Sequence, residues 1–80
     1  MKKDIEYSIG EFSEKTGISI RTLHYYDEIG LLQPKKNPTS GHRIYRYQDA
    51  ITLQKILSLK FLGYNLDKIA ELLSESSFSD

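Results

Sequence analysis

A chain of 80 residues with no cysteine and a formal net charge of zero has room for one small domain and excludes several classes of protein. Disulfide scaffolds and thiolate metal sites need cysteine, and a membrane-spanning helix needs about 18 consecutive apolar residues, a run that the sequence lacks. No signal-peptide apolar region follows the first residues. We therefore expect a single-domain, cytoplasmic protein with no membrane partner and no bound metal.

The basic residues are concentrated in the middle of the chain. From Ser19 to Arg46 there are five Lys or Arg residues, two acidic residues and two histidines, a formal sum of +3, whereas residues 1–18 sum to −1 and residues 47–80 to −2. The local field matters more to a phosphate-bearing ligand than the total charge does. The distribution therefore favours a nucleic-acid partner.

The first part of the sequence predicts two short helices joined by a tight turn. Ser8 and Glu11 stand at the two positions of a capping box, in which each side chain accepts a hydrogen bond from the other residue's backbone N–H. Gly17 ends the first helix, and Ser19 is placed to cap the next one. Two helices separated by so short a glycine-containing turn predict a helix-turn-helix over residues 7–29.

The second helix has two faces of different chemistry when its residues are spaced about 100° apart. The face expected to contact the first helix carries Ile20, Leu23 and Asp27. The opposite face carries polar and aromatic side chains, with two more at its borders: Arg21, Thr22, Tyr25 and Glu28, then His24 and Tyr26. A buried carboxylate needs a partner, so Asp27 is expected to be structural, holding the following hairpin through Arg43 or Arg46.

That hairpin is predicted over residues 31–47. Pro34 to Gly41 is a stretch of turn-forming residues with two lysines, and residues 42–47 alternate and contain β-branched and aromatic side chains. Two short strands joined by a basic loop, directly after a helix-turn-helix, predict a wing.

A helix pair is predicted over residues 48–74, divided at Gly63. The first helix, 48–62, is expected to turn four apolar residues inward: Leu53, Ile56, Leu57 and Phe61. Asn65 is placed to cap the second helix. Ser74 to Asp80 is mostly polar and is expected to fray.

Three stretches of the sequence, in order, resemble the DNA-binding domain of the MerR family of bacterial transcription regulators: "YSIGEFSEKTGISIRTLHYYDEIGLL", "SGHRIYRYQD" and "LKFLGYNLDKIAELL". The resemblance implies a mainly α winged helix-turn-helix, with four helices and a two-stranded wing, over residues 1–80. It also implies binding of near-palindromic, double-stranded promoter DNA by a homodimer. Members of the family typically activate transcription by bending and untwisting an overlong promoter spacer, so that RNA polymerase, an indirect partner, engages both promoter elements.

The sequence departs from the family pattern in three places. His24 stands where the family usually has arginine, and His42 stands where it usually has tyrosine. The coiled-coil helix and the effector-binding domain that follow in the family are absent from these 80 residues. We interpret the chain as a fragment of a longer regulator, monomeric by itself and homodimeric at full length, rather than as a short member that acts differently.

Candidate DNA contacts come from the second helix, the wing and the turn before the last helix. Arg21 is expected on a base edge or a phosphate in the major groove, and Tyr25 on the backbone or a thymine methyl group; a solvated helix face is the alternative. The full set, in part by resemblance, is Ser19, Arg21, Thr22, His24, Tyr25, Tyr26, Lys35, Lys36, His42, Arg43, Tyr45, Tyr64 and Asn65.

Several of these candidates have a structural alternative. Tyr26 and Tyr45 could pack in the core, and an ion pair with Asp27 could occupy Arg43. The segment 63–66 resembles the family's second wing, where amide groups at the start of the last helix could hold a phosphate, but a plain turn between helices is equally compatible with it.

These observations predict a DNA-binding transcription regulator that is not an enzyme and needs no cofactor. Two alternatives stay open. One is a small architectural protein of the excisionase type, which bends DNA for recombination, and the other is a protein-interaction domain built on exposed tyrosines. The salt dependence of ligand binding separates the protein-interaction domain from the two kinds of DNA-binding protein, because phosphate contacts produce steep salt slopes.

Overall fold

The chain folds as a helix-turn-helix, a short hairpin and a second helix pair. A computed structural model describes residues 5–75, and within this range the elements are α1 (Ile9–Thr16), α2 (Ile20–Glu28), β1 (Lys35–Lys36), β2 (Arg43–Ile44), α3 (Tyr47–Phe61) and α4 (Leu66–Leu73). The predicted winged helix-turn-helix is confirmed. In this range no helix is long and apolar enough to span a bilayer. From residue 76 onward, the tail predicted to fray lies outside the described residues.

Local capping positions α1 and α2 as the sequence predicts. The Ser8 hydroxyl accepts from the Glu11 N–H at 3.1 Å, and the Glu11 carboxylate accepts from the Ser8 N–H at 2.9 Å, which completes the capping box. Gly17 has φ = 78°, a left-handed conformation that L side chains rarely adopt, and it ends α1. The Ser19 hydroxyl then accepts from the Thr22 N–H and starts α2. The turn is therefore defined by local hydrogen bonds.

One core joins every part of the fold. Its fully buried large side chains come one each from α1, α2, the wing, α3 and α4: Phe12, Leu23, Tyr45, Ile56 and Ile69. The rings of Phe12 and Tyr45 stack, with centroids 4.4 Å apart and planes 13° apart. The backbones of Tyr45 and Tyr7 also exchange two hydrogen bonds of 2.8 Å. The wing is thereby joined to the segment that precedes α1.

The wing has only two residues in each strand. β1 and β2 pair antiparallel, and Lys36 lies opposite Arg43. Asn37 closes the loop, because its N–H donates to the His42 carbonyl and its own carbonyl accepts from the Gly41 N–H, both at 2.8 Å. The side-chain oxygen of Asn37 accepts from two further backbone N–H groups at 2.8 and 3.0 Å. These bonds give the short loop a defined shape.

Two expectations about buried faces are wrong. Ile20, expected to contact α1, is 42% exposed because it lies in the first turn of α2, ahead of the part that enters the core. On α3, Leu57 and Phe61 are 36% and 88% exposed, and Leu59 is buried instead. The sequence of α3 is apolar on more than one side, so spacing alone does not select the buried face. Packing in the shared core selects it, because Leu53, Ile56 and Leu59 belong to that cluster.

The Tyr45 hydroxyl is buried without a hydrogen-bond partner among the described residues. Burial raises the pKa of this phenol to about 12, and the nearby charges of Arg43, Asp27 and Asp49 act on it in opposing directions. An unpartnered buried hydroxyl costs about 1–3 kcal/mol of desolvation free energy. The aromatic ring, and not the hydroxyl, therefore accounts for the stabilising role of Tyr45.

Replacing Tyr45 by Phe should keep the ring stack and remove the unpartnered hydroxyl. We expect the free energy of unfolding at neutral pH to stay within about 1 kcal/mol of wild type or to rise. Above about pH 10, where an unfolded tyrosine ionises, the wild type should lose stability that the variant keeps, because the folded protein holds this phenol protonated. Denaturant titrations at neutral and alkaline pH measure both effects, with Tyr25→Phe as the exposed control. Clear destabilisation of Tyr45→Phe at neutral pH would contradict this account.

Candidate nucleic-acid interface

α2 presents one exposed face and one buried face. Tyr26 and Asp27 are buried, whereas Arg21 and His24 are exposed and Tyr25 is 49% exposed. Arg21 and Tyr25 are four residues apart, so their side chains lie on the same side of the helix, one turn from each other. This is the face that the sequence predicts to enter a DNA groove.

Ser19 and Thr22 form a small hydrogen-bonded pair at the start of that face. The Ser19 hydroxyl donates to the Thr22 hydroxyl at 2.9 Å while it accepts from the Thr22 N–H at 3.1 Å. The Ser19 hydroxyl is thus occupied as donor and acceptor, but the Thr22 hydroxyl keeps its own hydrogen. Thr22, and not Ser19, therefore has a hydroxyl hydrogen that it can donate to a phosphate.

The carboxylate of Asp27 connects α2 to both strands of the wing. Its side chain is 6% exposed, and its Oδ2 atom lies 2.7 Å from Arg43 Nε and 3.0 Å from Lys36 Nζ. Burial by itself raises the pKa of Asp27, but the hydrogen bonds and positive charges of Lys36 and Arg43 outweigh it and hold this pKa below its ordinary value. Asp27 is therefore ionised at neutral pH.

The ion pairs change which basic side chains are free to meet another anion. Arg46, the alternative partner for Asp27, contacts Glu6 instead, with Nη2 2.9 Å from Glu6 Oε2. In residues 5–75 no ion pair involves the exposed Lys35. The positive field of the wing is consequently weaker than a count of its basic residues suggests.

Two tyrosines among the candidate contacts are core residues. Tyr45 is 0% exposed and its hydroxyl is enclosed, so it cannot contact DNA in this structure. Tyr26 is 4% exposed, and burial raises its pKa, with a smaller contribution from Tyr25. Both residues therefore take the structural alternative that the sequence left open, packing in the core. Tyr25 stays on the surface.

The turn before α4 combines a cap with an exposed aromatic side chain. The side-chain oxygen of Asn65 accepts from the Lys68 N–H at 2.9 Å, as the sequence predicts for an N-cap. Tyr64 is 43% exposed. The arrangement fits a plain helix start and equally a phosphate contact through Tyr64 and the first amide groups of α4.

Sequence reasoning does not reveal that His24 and His42 line the same surface depression. It measures about 350 Å³, lies between α2, the wing and the start of α1, and is also lined by Ser8, Ile9, Gly41 and Arg43. These residues are up to 35 positions apart in the chain (Ser8 to Arg43), so no local spacing could bring them together. Ser8, Ile9 and Gly41 are the lining residues that the candidate set lacks.

An exposed helix face bearing Arg21 and Tyr25, next to a hairpin held by an ion pair, defines the protein as a winged helix-turn-helix domain. Its sequence matches the family described as MerR HTH family regulatory protein over residues 7–76. The chain belongs to the MerR HTH family, as the resemblance predicted.

Individual relatives agree with this assignment. The chain is 44% identical over 71 residues to the HTH-type transcriptional activator TipA of Streptomyces coelicolor, covering 89% of this chain and 28% of TipA. It is 42% identical over 74 residues to the HTH-type transcriptional activator Mta of Bacillus subtilis, covering 92% of this chain and 29% of Mta. The chain therefore spans less than a third of either relative.

Solved structures share the fold. The N-terminal part of the Bacillus subtilis multidrug transporter activator, MtaN, superposes with a TM-score of 0.83 at 42% identity, covering 91% of this chain and 69% of that one. EcmrR, in its DNA complex within the assembly named EcmrR-RPo, gives a TM-score of 0.79 at 37% identity, covering 92% of this chain and 28% of that one.

Replacing Asp27 by Asn should loosen the wing and lower the stability of the protein. The Arg43 and Lys36 side chains are 26% and 45% exposed, so water solvates their charges in part once the carboxylate is gone. We therefore expect the free energy of unfolding to fall by about 1–3 kcal/mol, rather than by the roughly 3–5 kcal/mol of a fully buried pair. Because the pKa of Asp27 is lowered on folding, its contribution is present above about pH 4 and disappears as the pH falls through the folded-state pKa.

Thermal melts of wild type and Asp27→Asn should therefore differ at neutral pH and converge in strong acid. Glu28→Gln, at the exposed neighbouring position, is the matched control and should melt close to wild type. Equal melting temperatures for Asp27→Asn and Glu28→Gln at neutral pH would show that the Asp27 ion pairs contribute nothing to stability.

Proposed function

We propose that this chain is the DNA-binding part of a MerR-family transcription regulator, acting in the cytoplasm by binding double-stranded DNA and not by catalysis. The observation that carries the proposal is that α2 has one buried side and one exposed side. Asp27 and Tyr26 anchor one side of the helix in the fold, while Arg21 and Tyr25 project from the other side. A helix supported in this way is rigid enough to present side chains to the edges of bases in a major groove.

The charges along α2 indicate which part of the helix meets the DNA. Arg21 and His24 lie in its first half, whereas the exposed Glu28 is its last residue and would repel phosphates. Contacts are therefore expected in the first two turns. In this arrangement Arg21 reads a base edge or binds a phosphate, Tyr25 contacts the backbone or a thymine methyl group, and Lys35 of the wing contacts the backbone.

Relatives support a role in transcription. TipA and Mta carry the name transcriptional activator, and EcmrR has been solved with DNA in EcmrR-RPo. We extend this to the present chain and propose that it binds near-palindromic promoter DNA as a homodimer and acts on RNA polymerase indirectly, by distorting the promoter spacer. Family membership favours this function over an excisionase-like architectural role or a protein-interaction domain.

Replacing Arg21 and replacing Lys35 should change DNA binding in different ways. Arg21→Ala should cost about 1–3 kcal/mol of binding free energy on a specific site and reduce the difference in affinity between specific and non-specific DNA. Lys35→Ala should weaken binding to all DNA alike and flatten the salt slope by up to about one unit, because a loop lysine reaches only phosphate. Titrations at low salt with a duplex selected from a random-sequence library, and with an unselected duplex, measure both quantities.

Arg21→Lys is the matched control for this experiment. It keeps the positive charge but loses the planar, two-pronged hydrogen bonding of the guanidinium group, so it should retain non-specific binding and lose discrimination. If Arg21→Ala leaves affinity and discrimination intact, α2 does not read the DNA and the proposed function needs another surface.

A further inference from the structure

The depression between α2, the wing and the start of α1 brings together the two histidines of the chain. His24 projects from α2, and His42 follows the loop of the wing. Both are exposed, and the depression they line measures about 350 Å³. A phosphate group with its oxygens fits a space of this size.

Three kinds of polar group line the depression: the two imidazoles, the Ser8 hydroxyl and the guanidinium group of Arg43. Arg43 is already bound through its Nε, which lies 2.7 Å from the Asp27 carboxylate. The Ser8 hydroxyl accepts from the Glu11 N–H and keeps its own hydrogen, which can be donated to an anion. A neutral imidazole donates one hydrogen bond, whereas an imidazolium donates two and adds a positive charge.

The charged groups around the histidines come from all three elements. On α2 they are Arg21, one turn before His24, and Glu28, one turn after it, together with the buried Asp27. On α1 the Glu11 carboxylate accepts from the Ser8 N–H. On the wing, Lys36 and Arg43 are bound to Asp27. The single negative charge of Asp27 offsets one of these two cations, and protonation of the imidazoles would add further positive charge to balance a phosphate in the depression.

We propose that this depression binds one phosphate of the DNA backbone and that its two histidines couple DNA binding to proton uptake, so that affinity rises as the pH falls. The proposal rests on the proposed function, since it assigns a phosphate to the same DNA-facing surface. An imidazole in water has a pKa of about 6.5, and an adjacent anion favours its protonated form. Protons taken up on binding make the complex stronger below neutral pH and weaker above it.

The test is the pH dependence of DNA affinity at constant low salt, measured with an unselected random-sequence duplex because a phosphate contact does not depend on sequence. For the wild type we expect the association constant to rise as the pH falls from about 8 to about 6, by up to about tenfold per pH unit for each proton taken up. Calorimetry in two buffers with different ionisation enthalpies counts the protons directly.

The double variant His24→Gln/His42→Gln is the central comparison. Both side chains are exposed, so the fold should persist, and the variant should bind with a flat pH profile and take up no proton through these positions. His24→Arg should bind well at the upper end of the range and respond less to pH than the wild type does. Lys35→Ala should weaken binding at every pH and leave the pH response unchanged.

Two negative outcomes separate the proposals. If the wild type binds DNA and the double variant shows the same pH profile and the same proton uptake, the histidine site is wrong and the proposed function stands. If the wild type binds no DNA at any pH in this range, the proposed function fails, and the histidine site fails with it.

Discussion

The carboxylate of Asp27 sets the position of the wing relative to α2. It is buried near the end of the helix and contacts one cation on each strand of the hairpin, 2.7 Å from Arg43 and 3.0 Å from Lys36. Those two residues lie opposite each other in the hairpin, so a single acidic side chain fixes both strands against the helix. A protein that places a helix in a groove and a wing on the adjacent backbone needs this relative position, and the proposed interface depends on it.

The ion pair is supported by aromatic packing, because a hairpin with two residues per strand is not stable by itself. Tyr45, directly after β2, stacks on Phe12 of α1 and exchanges backbone hydrogen bonds with Tyr7. The wing is thus held at its base by apolar contact and at its strands by charge. Loss of either set of contacts would weaken the attachment of the wing to the helix-turn-helix.

The same contacts distribute the charge of a neutral protein. The single charge of Asp27 offsets one of its two wing cations and Glu6 offsets Arg46, so the middle of the chain has fewer uncompensated positive charges than its composition suggests. Among residues 5–75, Arg21 on the helix, Lys35 on the wing and the two histidines are exposed and take part in no ion pair within this segment. A surface of this kind favours a few defined contacts over strong non-specific attraction.

The sequence by itself determined the order of the elements, the capping of α1, α2 and α4, and the family. On α2 it placed Leu23 and Asp27 on the buried side and Arg21 and Tyr25 on the outer side, although it misplaced Ile20. These features follow from local hydrogen bonding and helical spacing. A short stretch such as Ser8–Glu11 contains both residues of the capping box. Only the tertiary structure decided which apolar face of α3 is buried, because Leu57, Leu59 and Phe61 are all apolar and packing in the shared core selects among them. It also placed Tyr45 in the core, paired Lys36 with Asp27 and brought His24 and His42 to one surface depression. Those contacts join residues that are distant in the chain, and side-chain periodicity holds no information about such distances.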